Sequence, residues 1–165
     1  MSAASGIDWQ QIYHTGIRVH DLDAAMEEMG ETLGVTWATV QHNPAQQIWT
    51  PEDGLRQVPL TFVYSCEGPQ HIELLQGVEG TPWFAGDSPG VHHVGLWCDD
   101  VTASTEAAVD AGWSVAMAGA PPEDGYGAWT YVVPPSGPLV ELVWSAIEPR
   151  FDAWFAGGTL GNERG

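Results

Sequence analysis

The sequence predicts an α+β fold built from two copies of one unit, each running strand, helix, strand, strand, strand. Three observations predict it. Residues 14–25, HTGIRVHDLDAA, align with residues 93–104, HVGLWCDDVTAS, at a constant offset of 79 residues, so that His14 matches His93, Gly16 matches Gly95 and Asp21 matches Asp100. An apolar stripe of helical period follows each stretch. After each helix come three runs with strand character, separated by Pro- and Gly-rich turns.

The elements are justified in order. HTGIR opens the first unit as a strand. Leu22, Ala25, Met26, Met29 and Leu33 then fall at helical spacing, with Asp21 placed to cap the start and the glycine of LGV, residues 33–35, to end it. VTWATV (35–40), PLTFVYSC (59–66) and HIELLQG (71–77) are the three following strands. The second unit repeats the order. HVGLW is its first strand, and Val101, Ala108 and Val109 mark a helix of smaller residues that ends at AGW, residues 111–113. WSVAMAG (113–119), AWTYVVPP (128–135) and PLVELVW (138–144) complete it, with PPEDGYG and PSGP as turns. The chain is expected to form one domain over 1–165. The first module spans about 12–76, a Gly- and Pro-rich linker 77–90, the second module 91–145 and a tail 146–165. In the tail, Pro149 could start a short helix with Phe151, Trp154 and Phe155 on one face, packed on the body or on a partner subunit.

Charge narrows the function. Acids number 22 against 4 bases, all arginine, for a net charge of −18. Nucleic acid is excluded as a partner, because phosphates require a cationic footprint. Schiff-base chemistry is excluded by the absence of lysine. No run is long enough to span a bilayer, and the N-terminus has no signal-peptide pattern. Two cysteines, Cys66 and Cys98, are too few for a disulfide framework and read as reduced thiols. A soluble cytoplasmic protein is expected. Nine tryptophans offer both core and flat cavity walls.

The last strand of each unit carries a glutamate in apolar company, Glu73 in IELL and Glu141 in VELV. A carboxylate there is costly unless something pairs with it. Strand parity groups His14 with Gly16 and Arg18, Glu73 with His71 and Leu75, His93 with Gly95 and Trp97, and Glu141 with Leu139 and Val143. Of the adjacent pair His92 and His93, the repeat selects His93, and parity turns His92 to the other face of the sheet. Two histidines and two glutamates at repeat-related positions, His14, Glu73, His93 and Glu141, suit one divalent cation: Zn, Mn, Co, Ni, Fe(II) or Mg.

These motifs, HTGIRVHDLDAA, HIELL, HHVGLWCDDV and GPLVELV, resemble those of the vicinal oxygen chelate superfamily, which includes glyoxalase I, methylmalonyl-CoA epimerase, extradiol dioxygenases and bleomycin resistance proteins. The resemblance covers about residues 12–145. It implies two βαβββ modules forming a curved, cup-like mixed sheet around one metal, and a small-molecule substrate whose vicinal oxygens complete the metal shell. Glu73 as a fourth ligand resembles the glyoxalase I pattern. Extradiol dioxygenases typically use two His and one Glu, and bleomycin-binding members lack the metal set.

The chemistry so implied is enolate stabilisation for epimerisation, isomerisation or lyase reactions. Glu141 is the first candidate for the base and Glu73 its counterpart on the opposite side. Arg18, Trp97 and His71 are candidates to bind substrate: one carboxylate anchor, one wall, one polar neighbour. Glutathione and CoA carry several anionic groups, so a less charged substrate fits this chain better. An Fe(II)-dependent dioxygenase and a non-catalytic ligand-sequestering protein are the alternatives. A homodimer is expected, because a cup leaves sheet edges and the tail residues Trp154 and Phe155 in need of cover.

Overall fold

The computed structural model describes residues 6–161. Its strands are β1 (Ile12–Arg18), β2 (Gln41–Thr50), β3 (Gly54–Tyr64), β4 (His71–Gly77), β5 (Gly90–Cys98), β6 (Ser114–Ala118), β7 (Trp129–Val133) and β8 (Val140–Trp144). Its helices are α1 (Leu22–Leu33), α2 (Val101–Asp110) and α3 (Glu148–Phe155). Each half therefore runs βαβββ, and the fold is mixed α+β. Both helices of the repeat start on an aspartate. Asp21 accepts from the Ala24 amide and Asp100 from the Ala103 amide, each at 2.9 Å, a cap that stabilises a helix by about 1 kcal/mol. Gly34 closes α1 with φ 70°, where a side chain would be strained.

The eight strands form one curved sheet that closes on itself in the order β1-β4-β3-β2-β6-β7-β8-β5. The halves meet along a full antiparallel β1/β5 ladder and, on the far side, through the single pairing of Trp49 with Ala118. Within each half the first and last strands run parallel, β1 beside β4 and β5 beside β8. The helices lie outside the sheet. Leu22 of α1 packs on Val63 and Leu74, and Val101 and Ala108 of α2 pack with Leu96, Val132 and Leu142. The alternate residues of those strands fill the interior, where the two halves of the repeat face each other. Among the described residues no helix is long and apolar enough to cross a membrane.

Two expectations are corrected. Residues 35–40 are not a strand. They make one isolated pairing, Trp37 with Ser65, and Trp37 and Val40 pack on the α1 cluster instead. The strand begins at Gln41 and runs through the polar stretch QHNPAQQIWT, mostly half-buried or exposed, with Pro44 tolerated at a bulge between Asn43 and Gln46. Leu33 is 55% exposed, so the apolar stripe of α1 stops at Met29. The sheet closes on itself, and Trp154 is fully buried within this chain.

The tail packs on the body. Phe151, Trp154 and Phe155 of α3 meet Tyr13, Tyr64, Trp97 and Val143, which closes one end of the barrel. The linker covers the other region of the interior. Its Trp83 is 2% exposed and packs with Leu60, Leu75 and Tyr131.

Candidate metal centre

The repeat builds the site as two rows of residues across the sheet. In one, Glu73 of β4 stands opposite Gly16 of β1, which stands opposite His93 of β5. In the other, Glu141 of β8 stands opposite Gly95 of β5, which stands opposite His14 of β1. Each row is Glu, Gly, His, and each borrows its histidine from the other half. The glycines are what let the rows work. A Cβ on Gly16 would overlap the His93 ring, and a Cβ on Gly95 would overlap the His14 ring. The imidazoles lie over bare backbone and reach the glutamates beyond.

The four side chains converge in the interior. His14 and His93 are fully buried, Glu73 and Glu141 nearly so. His14 Nε2 lies 2.9 Å from His93 Nε2, 2.9 Å from Glu141 Oε2 and 3.3 Å from Glu73 Oε2. His93 Nε2 lies 3.1 Å from Glu73 Oε2 and 3.3 Å from Glu141 Oε2. Two carboxylates in an apolar interior need compensating charge. Glu73 Oε2 is buried and faces the two histidines. The four ligand atoms lie within 4.8 Å of one another, close enough to share one divalent ion, which His nitrogen and carboxylate oxygen bind at about 2 Å. The donor set and its spacing fit such an ion.

Without an ion, protons balance the charge. Burial works against a charged His93, yet hydrogen bonds and the charges of Glu141 and Glu73 push its pKa up to about 9. His14 is raised in the same way, against the same burial. Burial would raise Glu141, but hydrogen bonds from His14 and His93 bring it down to about 2, and Glu73 is lowered likewise. The linkage has a definite sign. The raised histidines contribute stability that is complete below about pH 6.5 and lost as pH rises through about 9. The lowered glutamates contribute stability present above about pH 4.5 and lost as pH falls toward 2. Metal-free protein is therefore expected to melt highest between about pH 5 and 6.5, with Tm falling toward pH 9. An added divalent ion replaces the protons and should flatten that alkaline decline. Thermal melts with and without chelator check this. A metal-free Tm that stays level from pH 6 to 9 would contradict it.

Aromatic side chains surround the cluster. The Tyr13 ring lies 4.4 Å from His14, Tyr64 5.1 Å from His14, and Tyr131 4.8 Å from His93. Burial, with the glutamate charges added, holds all three phenols well above their ordinary pKa, so they are neutral hydroxyls. The parity reading of His92 is corrected. The register slips so that Gly16 pairs with His93 but Ile17 with Val91, which makes His92 a bulge residue. Its ring turns inward to Tyr131 and places Nδ1 2.9 Å from His93 Nδ1. Tyr13 is the matching bulge of β1, since Ile12 pairs with Leu96 and His14 with Gly95. The signal was present in the sequence: Tyr13 and His92 are also 79 residues apart.

The three candidate substrate residues are placed as follows. Arg18 donates to the linker carbonyls of Pro82 at 3.3 Å and Ser88 at 3.2 Å. Trp97 stacks on Tyr13 at 3.8 Å and is covered by Phe151 of α3. His71 donates through Nδ1 to the Ser65 carbonyl, 2.7 Å away, and its ring stacks on Phe155 at 3.9 Å.

The sequence model of the Glyoxalase/Bleomycin resistance protein/Dioxygenase superfamily matches residues 13–132. No curated protein matches the chain significantly. Among solved structures, a hypothetical protein from Bacillus halodurans is 19% identical, over 81% of this chain and 92% of that one, with a TM-score of 0.61. A methylmalonyl-CoA epimerase from Mycobacterium tuberculosis is 20% identical, over 87% and 92%, with a TM-score of 0.59. These two likenesses are of fold. A methylmalonyl-CoA epimerase from Streptomyces coelicolor, solved in complex with 2-nitronate-propionyl-CoA, is 28% identical over 82% of this chain and 97% of that one, with a TM-score of 0.56.

Proposed function

This chain belongs to the Glyoxalase/Bleomycin resistance protein/Dioxygenase superfamily, and from that premise we propose that it is a metal-dependent enzyme that moves a proton next to a substrate carbonyl, by epimerisation, isomerisation or a lyase reaction. The observation that carries the reading is the convergence of the two Glu-Gly-His rows on one point. The proposed ligands are His14, Glu73, His93 and Glu141. A divalent ion held there would supply Lewis acidity, which would acidify the C–H next to the substrate carbonyl. Glu141 takes the proton, and Glu73, supplied by the other half of the repeat, returns one from the opposite side. The buried tyrosines exclude water and lower the local polarity, so that a positive charge or hydrogen-bond donor at the substrate oxygen acts on it more strongly than in water. A fourth protein ligand sets the cluster apart from the two-His, one-carboxylate triad of Fe(II) oxygenases.

The proposed substrate is a small molecule with vicinal oxygens and little negative charge, such as a hydroxy-ketone or keto acid. The support is the deployment of the cations. Arg18 holds linker carbonyls, Arg56 holds the Gly80 carbonyl and Asp53, and Arg150 holds the carbonyls of Leu160 and Gly161. A polyanion would meet the field of a chain at −18, and among the described residues no arginine cluster is placed to receive it. The free thiols of Cys66 and Cys98 fit the reducing cytoplasm proposed as its setting.

Solvent deuterium incorporation tests the reading. Metal-loaded protein is expected to exchange the acidic C–H of such compounds, and chelated protein is not. Exchange confined to methylmalonyl-CoA would overturn the substrate class and leave the proton transfer standing. No exchange with any enolisable carbonyl compound would sink the reaction class.

A further inference from the structure

We propose that His92 is a positioning residue: it accepts a hydrogen bond from His93 and holds that imidazole in the tautomer and orientation that metal binding requires. The proposal rests on the metal reading of the site. Its basis is the contact between the two rings, Nδ1 to Nδ1 at 2.9 Å and partly buried. Two ring nitrogens at that distance share one proton, so one donates and the other accepts. His93 Nε2 faces Glu73, Glu141 and His14. To offer a lone pair there, neutral His93 must carry its proton on Nδ1. His92 must then present a bare Nδ1 and carry its own proton on Nε2. One bond thus fixes both tautomers and the rotation of the His93 ring.

The other half of the repeat shows that this is not simply what the fold does. His14 occupies the matching position, and the matching bulge holds Tyr13 rather than a histidine. Tyr13 meets His14 edge to face, 4.4 Å between centroids, and stacks on Trp97. His14 Nδ1 is buried without a hydrogen-bond partner among the described residues. The two imidazoles of the cluster are therefore unequal: a hydrogen bond fixes His93 at Nδ1, and on that side His14 meets only packing. Loss of such an outer partner typically weakens metal affinity ten- to a hundredfold.

The experiment compares full-length wild type with His92→Leu, His92→Asn and His92→Gln, using Zn2+ in competition with a chelator. Asparagine offers its side-chain oxygen where Nδ1 of histidine sits. Glutamine carries it one bond further, and leucine offers none. His92→Leu and His92→Gln are expected to bind Zn2+ roughly ten- to a hundredfold more weakly, and His92→Asn within a few fold of wild type. Long-range proton–nitrogen NMR on histidine-labelled, Zn2+-loaded protein reads the tautomer directly. His93 should be protonated on Nδ1 in wild type and His92→Asn. Equal affinity in wild type and His92→Gln, or a His92→Asn variant as weak as His92→Gln, would overturn the positioning role and leave the metal site intact. Wild type that binds no Zn2+ would overturn both.

Discussion

Gly95→Ala is expected to cost the protein its metal affinity as fully as His14→Ala. The β-carbon introduced at residue 95 would occupy the space of the His14 imidazole. The backbone there cannot retreat, because β5 is hydrogen-bonded on both sides, to β1 and to β8. The ring must leave its place over the glycine and lose its aim at Glu141. Overpacking of this kind costs about 1–3 kcal/mol of stability, so the variant should remain folded. Its affinity for a divalent ion should fall by more than the roughly 10–100-fold that loss of an outer partner brings. Gly16→Ala should do the same through His93. Calorimetric titration with a divalent ion, alongside circular dichroism to confirm the fold, checks both. Affinity within threefold of wild type in either variant would mean that the histidines do not reach the cluster over these glycines.

Trp154→Ala is expected to lower stability by about 3–5 kcal/mol, the range for deleting a fully buried large aromatic. Trp154 is 0% exposed and donates its indole N–H to the Thr39 carbonyl at 3.0 Å. It lies against Tyr64 and Phe62, at 5.5 and 6.0 Å between centroids, so its removal leaves a cavity beneath α3 and an unpaired carbonyl. For a chain of this length the loss corresponds to a Tm lower by roughly 10 °C or more. Trp154→Phe retains part of the volume and should lose less. A Tm within 2 °C of wild type for the alanine variant would mean that the tail helix does not close the barrel in solution.

The repeat made most of the fold and the four-residue cluster legible. Period-2 alternation and a constant offset are local signals, and they brought His14, Glu73, His93 and Glu141 to one side of their strands before any contact was visible. Parity failed at His92 because a bulge inserts one residue and resets the alternation. The matching insertion at Tyr13 could have revealed it, since a bulge repeated in both halves preserves the offset. β2 was missed because its sequence carries no apolar run; the strand forms by joining the halves, and the apolar residues just before it serve α1. Arg18 and Trp97 show a different limit. Their strands are as expected, but their neighbours are the linker carbonyls and Phe151 of the tail, distant in sequence and outside the reach of any periodicity.

The central claim is that one divalent ion sits among two histidines and two glutamates drawn equally from the two halves. Elemental analysis of protein purified without chelators, measured beside His14→Ala, His93→Ala and their double variant, tests it most directly. One equivalent of a single divalent metal per wild-type chain, lost in large part from each single variant and wholly from the double, is the predicted result. A wild-type chain with no metal after dialysis against Zn, Mn, Co, Ni, Fe(II) and Mg salts, or a double variant that keeps a full equivalent, would contradict it.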